Sequence, residues 1–211
     1  MPFMRAFRPE KLIPPAETRG VERFRNLGDV PVDLEIGCGV GWHPIQYSQK
    51  NPERVLVAIE QTTEKFAKFN SRVEANARLG RSLENLIPVH ADAVAWVTAF
   101  VPEECLDRVL LFYPNPNPKN SAARWVRMPF FGHLLTKLRP GGVISFRTNE
   151  PGYAEEVREY GSRVWGLSLS VNRSFSSKDT ALSESLTHFE RKYLEAGDTC
   201  FQIDFIKASL R

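Results

Sequence analysis

The sequence predicts an α/β chain: a mainly parallel sheet of the Rossmann-like kind, with helices on both faces. Three observations predict it. From Val32 onward, short apolar runs rich in β-branched residues alternate with segments of helical periodicity, as in strand–helix–strand units. The first run ends in a glycine-spaced turn, Gly37-Cys38-Gly39-Val40-Gly41, of the sort that feeds a helix. The run Val109-Leu110-Leu111-Phe112 is continuously apolar, as a central strand covered on both faces must be. At 211 residues and 42% apolar content, the chain is the size of one domain with a full core.

Composition narrows the setting. No apolar run is long enough to span a bilayer, and no charged-then-apolar leader opens the chain. The three cysteines, Cys38, Cys105 and Cys200, are far apart and odd in number, which suits a reducing cytoplasm and no zinc site. The four histidines, His43, His90, His133 and His188, show no metal-ligand spacing, so no metal is expected. A formal net charge of +3 permits a nucleic-acid partner without requiring one. The basic residues gather in two groups, Arg5, Arg8, Lys11, Arg19, Arg23 and Arg25 at the start, and Lys119, Arg124 and Arg127 later. A solvated face and an RNA-binding face both fit them.

Residues 1–30 contain Pro2, Pro9, Pro14 and Pro15 and little periodicity. They read as a basic N-terminal arm with a short helix over 18–26, an RNA contact or a cap, the cap being favoured; residues 31–211 form the domain. The first strand, Val32-Asp33-Leu34-Glu35-Ile36, carries Glu35 to the edge of the glycine turn. The pattern stops at G-x-G-x-G, and Trp42 stands where a dinucleotide fingerprint needs a small residue. Glu35 would repel a pyrophosphate and welcome an amino group. An adenosyl cofactor with a cationic amino-acid tail therefore fits better than a nicotinamide dinucleotide, with Gly37, Gly39 and Gly41 leaving room for it. A plain strand-to-helix turn is the alternative.

The second strand covers 54–59, and Glu60 follows at its carboxyl end, where an acid can hold both ribose hydroxyls. A helix over 62–79 places Phe66, Phe69, Val73 and Ala77 at core spacing. After the short strand Leu86-Ile87-Pro88-Val89, Asp92 and Ala93 fall where an adenine would lie; Asp92 can accept from its exocyclic amine, cap the next helix, or do both. The fourth strand, 106–113, ends in Pro114-Asn115-Pro116-Asn117-Pro118-Lys119. Three prolines in six residues make a stiff loop, read here as holding Asn115 over the cofactor's reactive end in preference to a mere rigid turn. A helix over 124–138 follows, stopped by Arg139-Pro140-Gly141-Gly142, then a strand over 143–148 and a helix over 151–165. Weaker strands at 167–171 and 200–205 enclose a polar loop over 172–184 and the segment Leu186-Thr187-His188-Phe189-Glu190.

Together these stretches resemble the bacterial tRNA (guanine-N7)-methyltransferase family. Its Leu-Glu-Ile-Gly-x-Gly-x-Gly turn is matched from Leu34 to Gly41, its Gly-Ile-Glu strand end in part by Ala58-Ile59-Glu60, and its Asp-Ala by Asp92-Ala93. Its Phe-Pro-Asp-Pro-Trp-Pro-Lys loop is similar to the stretch from Phe112 to Lys119. Leu-x-Pro-Gly-Gly appears from Leu138 to Gly142, Thr-Asp-x-x-x-Tyr from Thr148 to Tyr153, and Thr-x-Phe-Glu from Thr187 to Glu190. The matches keep their order across residues 32–207. The resemblance implies the class I S-adenosylmethionine-dependent methyltransferase fold, seven strands with an antiparallel last one, S-adenosylmethionine as methyl donor and tRNA as partner. It also implies a cofactor set of Glu35, Gly37, Gly39, Gly41, Glu60, Asp92, Ala93 and Asn115. Asn115 is in addition the catalytic candidate, and Lys119, Asn149, Thr187, Phe189 and Glu190 form the substrate set.

The departures fall on the substrate side. The family's loop aspartate is Asn115, its tryptophan is Asn117, and the aspartate after Thr148 is Asn149. The basic run after Pro-Lys is reduced to Asn120-Ser121-Ala122-Ala123-Arg124, which should weaken attraction to phosphates and its salt dependence. Guanine N7 has a free lone pair and needs no base, but its methylation leaves a cation that a carboxylate would stabilise. Asn115 and Asn149 lack that charge, and within the two loops Glu150 alone could supply it. The Asn-Pro-x-Pro order is also similar to the Asn-Pro-Pro-aromatic loop of amino-methylating nucleic-acid enzymes, although no aromatic follows. Three readings stay open: a tRNA guanine-N7 methyltransferase, first in rank; a methyltransferase of the same fold acting on another base or a small molecule; and a non-catalytic cofactor-binding relative.

Overall fold

The alternating apolar runs pair into one seven-stranded sheet. In the computed structural model, which describes residues 6–22 and 28–208, the strands are β1 (Val32–Ile36), β2 (Val55–Glu60), β3 (Leu86–His90), β4 (Leu106–Phe112), β5 (Leu138–Thr148), β6 (Ser168–Phe175) and β7 (Cys200–Ile206). Their order is β3-β2-β1-β4-β5-β7-β6, and β7 alone runs against its neighbours. This is the class I methyltransferase arrangement that the sequence led us to expect.

β1 shows why two helical layers are needed. All five of its residues are buried, with Val32, Leu34 and Ile36 alternating with Asp33 and Glu35. The apolar set packs with Trp96 and Val97 of α3 (Ala93–Phe100), Phe130 and Phe131 of α4 (Pro129–Lys137), and Val157 of α5 (Pro151–Glu159). On the opposite face, Ile45 of α1 (Trp42–Lys50) and Phe66 and Phe69 of α2 (Thr63–Arg78) cover Leu56, Ala58, Leu86 and Leu110. A sixth helix, α6 (His188–Glu195), packs through Leu194 against Phe175 and Cys200.

In the polar set of β1, Asp33 is fully engaged. Asp33 accepts from Arg54 Nε at 2.7 Å and Nη2 at 2.6 Å, and from the Tyr47 hydroxyl at 2.5 Å. Arg108 donates in turn to the Tyr47 oxygen at 2.9 Å. Removing one partner of such a buried pair costs about 3–5 kcal/mol, because the other charge is then left uncompensated. Burial and the Asp33 charge push the Tyr47 phenol up to about 12.

Local differences from the expected elements have physical reasons. The helix expected over 124–138 is split: two 3-10 turns, Ser121–Ala123 and Trp125–Arg127, precede α4, which starts only at Pro129. Pro129 forces Met128 out of the helical region, to φ −69° and ψ 137°. The expected stop at Arg139-Pro140-Gly141-Gly142 lies inside β5 as a bulge, where the pairing jumps from Leu106–Leu138 to Arg108–Val143. Gly141 takes φ +76° there, and its N–H donates to the Lys207 carbonyl. The start of the expected polar loop, 172–175, continues β6, and Ala77 is exposed on α2.

β3 forms one edge of the sheet. Leu56 N–H donates to the Asn85 carbonyl, so the alternation turns the backbone nitrogen of Pro88 to the free side. Residues 18–22 of the arm lie beside this edge, with Gly20 against Ile87. Phe7 meets the Phe130 ring edge-on at 5.5 Å. Of the helix expected over 18–26, residues 23–26 lie outside the described residues, as do Arg5, Arg23 and Arg25 of the basic group.

Candidate functional site

β1 and β4 lie side by side, while the chain leaves β1 towards β2 and β4 towards β5. A crevice opens outside their carboxyl ends at this reversal of order. A cavity of about 490 Å³ occupies it. Each parallel strand from β1 to β5 contributes a wall: Gly37 and Gly39 after β1, Glu60 closing β2, Asp92 and Ala93 after β3, Asn115 after β4, and Asn149 and Glu150 after β5. Trp125 and, from α6, Phe189 and Tyr193 complete it.

The glycine turn is tied to β2 by N–H bonds from Gly37 and Cys38 to the Ile59 carbonyl, at 2.8 and 3.1 Å. Gly37, Gly39 and Gly41 all take positive φ, at +77°, +61° and +76°. Their surroundings divide them. A Cβ on Gly37 or Gly39 would meet no heavy atom within 4 Å, whereas on Gly41 it would lie 1.9 Å from the Phe69 ring. Gly41 does not line the cavity; it caps α1 and lets α2 pack close. Cys38 is buried, and burial followed by the charges of Glu35 and Glu60 pushes its thiol well up, which disfavours the reactive thiolate.

The carboxylates are held firmly. Glu60 Oε2 accepts from Gly39 N–H at 2.9 Å and Oε1 from Thr62 N–H at 2.7 Å, which leaves each oxygen a further lone pair. Asp92 Oδ1 accepts from Ala95 N–H at 2.8 Å, so it does cap α3 while its side chain borders the cavity. Glu35 is placed differently. It is buried, its Oε2 accepts from His43 Nδ1 at 2.6 Å, and it lines a smaller cavity of about 80 Å³ beyond the glycine turn, shared with Trp42, Thr187 and Phe189.

The proline loop is set by strain and by its neighbours. Tyr113 takes φ +50° at the end of β4 and Asn117 takes φ +43°, conformations that asparagine tolerates and a ring-bearing side chain adopts only when held. The Tyr113 hydroxyl donates to Glu190 Oε2 at 2.9 Å. Asn117 N–H donates to Asn115 Oδ1 at 2.9 Å, and Asn117 Nδ2 to the Asn115 and Ala123 carbonyls at 3.1 and 3.2 Å. Asn117 therefore holds the loop where the family carries tryptophan. Arg124 Nε donates to the Pro116 carbonyl at 2.5 Å, and Arg124 and Arg127 both pair with Glu156. Arg124 thus supports the loop, with Glu156 between it and Arg127; Lys119 stays exposed and outside the cavity wall.

Of the substrate candidates, Asn149 and Phe189 line the main cavity. Thr187 and Glu190 belong to the start of α6. Thr187 Oγ1 accepts from Glu190 N–H at 2.9 Å while Glu190 Oε1 accepts from Leu186 N–H at 3.0 Å, a variant of the capping box. Glu190 is 1% exposed and pairs with Arg147 at 2.6 Å, whose guanidinium lies between the Phe112 and Phe175 rings. It does not face the cavity. Tyr113, Trp125 and Tyr193 were not singled out in the sequence. For Tyr193 a signal existed, since it falls four residues after Phe189 on one helix face.

Among the described residues no group of three or more His, Cys, Asp or Glu could hold a metal ion, and no helix is long and apolar enough to cross a membrane.

A family model described as a putative methyltransferase matches residues 29–203. The chain is 30% identical over 180 residues to a tRNA (guanine-N7)-methyltransferase of Cronobacter sakazakii, covering 84% of this chain and 72% of that protein. It is 31% identical over 179 residues to one of Nitrosospira multiformis, covering 84% and 75%. Among solved structures it is similar to the 16S rRNA methyltransferase KamB, with a TM-score of 0.65 at 20% identity over 89% of this chain and 92% of that one.

Proposed function

The chain belongs to the tRNA (guanine-N7)-methyltransferase family, and from that membership we propose that it moves a methyl group from S-adenosylmethionine to N7 of a guanine in tRNA. One observation carries the reading: Gly37, Gly39, Glu60 and Asp92 converge with Asn115 and Asn149 on a single cavity at the strand-order reversal. The donor set suits the cofactor. The cavity of about 490 Å³ falls in the range of roughly 300–1,000 Å³ usual for small-molecule pockets. The space beside Gly37 and Gly39 is open, and the spare lone pairs of Glu60 match a ribose diol. Asp92 would take the adenine amine, and the Glu35 oxygen not bonded to His43 the ammonium of the amino-acid tail.

Bound there, the cofactor supplies an electrophilic methyl group on a sulfonium. The residues of the chain then act by placement and exclusion of water. The Asn115 loop and Asn149 border the space in which the base would lie, and Phe189, Tyr193 and Trp125 wall it off. No general base is required, because N7 attacks with its own lone pair.

A second reading, a different base or a small-molecule acceptor, is favoured by Arg124 and Arg127, which both pair with Glu156 within the chain. One assay separates the two. Labelled S-adenosylmethionine is incubated with tRNA lacking N7-methylguanosine, and the nucleosides are then analysed. Label in N7-methylguanosine is the expected result. Label in another nucleoside, or none despite cofactor binding, would transfer support to the second reading.

A further inference from the structure

Three carboxylates line the main cavity: Glu60, Asp92 and Glu150. Two are committed to backbone amides, Glu60 to Gly39 and Thr62, Asp92 to Ala95. The Glu150 carboxylate makes no hydrogen bond or ion pair among the described residues. Glu150 is the N-cap of α5, where an acidic side chain ordinarily folds back onto the first amides. Here the helix begins with Pro151, and Glu150 makes no capping bond to the amides beyond it. Its own N–H donates instead to Thr148 Oγ1 at 3.1 Å. The carboxylate is exposed and borders the cavity, near Tyr193, whose phenol is pushed up by burial and then by the Glu150 charge.

The neighbouring amides are less free. Asn115 Oδ1 already accepts from Asn117 N–H, and Asn149 Nδ2 already donates to Asp198 Oδ2 at 3.2 Å. We infer that Glu150 reads the Watson–Crick edge of the target guanine and sets a negative charge opposite the cation that methylation creates. The inference rests on the guanine-N7 reading above. Guanine presents N1–H and its exocyclic N2 amine as adjacent donors, which match the two oxygens of one carboxylate. Adenine presents an acceptor at N1 and is repelled. As the C–N bond forms and the C–S bond breaks, the electron pair leaves on sulfur and the ring becomes positive. The N1–H and N2–H donors strengthen with it, so the contact tightens in the transition state and raises kcat as well as binding. No proton moves in the step.

The test uses the full chain with two tRNA transcripts, one with guanosine and one with inosine, which lacks the N2 amine, at the modified position. Both are compared for the unsubstituted protein, Glu150→Gln and Glu150→Ala. Binding of S-adenosylhomocysteine is measured alongside as a check on folding and on the cofactor half of the cavity. Loss of a charge-assisted hydrogen bond predicts a fall of roughly ten- to a hundredfold in kcat/KM on guanosine RNA for either variant. The unsubstituted protein should prefer guanosine to inosine, and that preference should collapse in Glu150→Ala with S-adenosylhomocysteine affinity unchanged. A Glu150→Ala variant that keeps the guanosine-to-inosine ratio of the unsubstituted protein would overturn the inference and leave the guanine-N7 reading standing. Failure of the unsubstituted protein to form N7-methylguanosine would overturn both.

Discussion

Three glycines of one turn share a left-handed backbone and differ in what surrounds them. Gly41→Ala would drive a methyl group into the Phe69 ring in addition to the backbone strain. A loss of about 3 kcal/mol in stability is expected from overpacking and a left-handed non-glycine residue together. Gly37→Ala meets open space, so only the backbone penalty of about 1–2 kcal/mol applies to folding. Its methyl group would instead occupy the space proposed for the cofactor. Urea denaturation and S-adenosylhomocysteine titration should therefore rank the two variants in opposite order. The spacing of the glycines was legible in the sequence. Which of them faced open space was not, because that depended on Phe69, far along the chain.

At the scale of elements, α6 is held to the proline loop by one buried carboxylate. Glu190 receives Arg147, the Tyr113 hydroxyl and the Leu186 amide. Glu190→Ala would leave Arg147 buried without its counter-charge, and a loss of about 3–5 kcal/mol is expected. Amide exchange should rise together in 188–195 and around Tyr113, whereas the β1–β2 turn should keep its protection. Exchange that rose in α6 alone would show that the helix and the loop are independent. The Thr-x-Phe-Glu stretch was visible from the start, but as a substrate contact. The same four residues also spell a helix N-terminus, Thr-x-x-Glu, and that simpler reading describes where Thr187 and Glu190 lie. Pro129 carries a helix-start signal that the expected span over 124–138 passed over. The bulge at Arg139 to Gly142 was not legible, since it is defined by pairing with β4 and by Lys207 at the far end of the chain.

At the scale of the whole molecule, stability depends on the polar stripe under α1. The Tyr47 phenol ionises near its ordinary value of 10 when unfolded and at about 12 when folded. Above pH 10 the unfolded chain thus binds fewer protons than the folded one, and stability falls as pH rises from 10 to 12. The melting temperature should drop across this window, and Tyr47→Phe should flatten the drop while lowering stability at neutral pH. An equally steep fall in the variant would assign the effect to other groups. The succession of strands was legible because burial on both faces writes itself as apolar runs. The partners of Asp33 were not, since Tyr47, Arg54 and Arg108 are joined only by folding.

The nitrogen of Pro88 points away from β2 at the rim of the sheet, where residues 18–22 of the arm also lie. A strand arriving from another copy would find no donor at that point and little room. Self-templating, the route by which exposed edges seed fibrillar assemblies, is thereby blocked on the β3 side. The opposite rim, β6, has no proline, and it leaves Leu169 open to solvent. Clumping of this protein on heating is expected to start there.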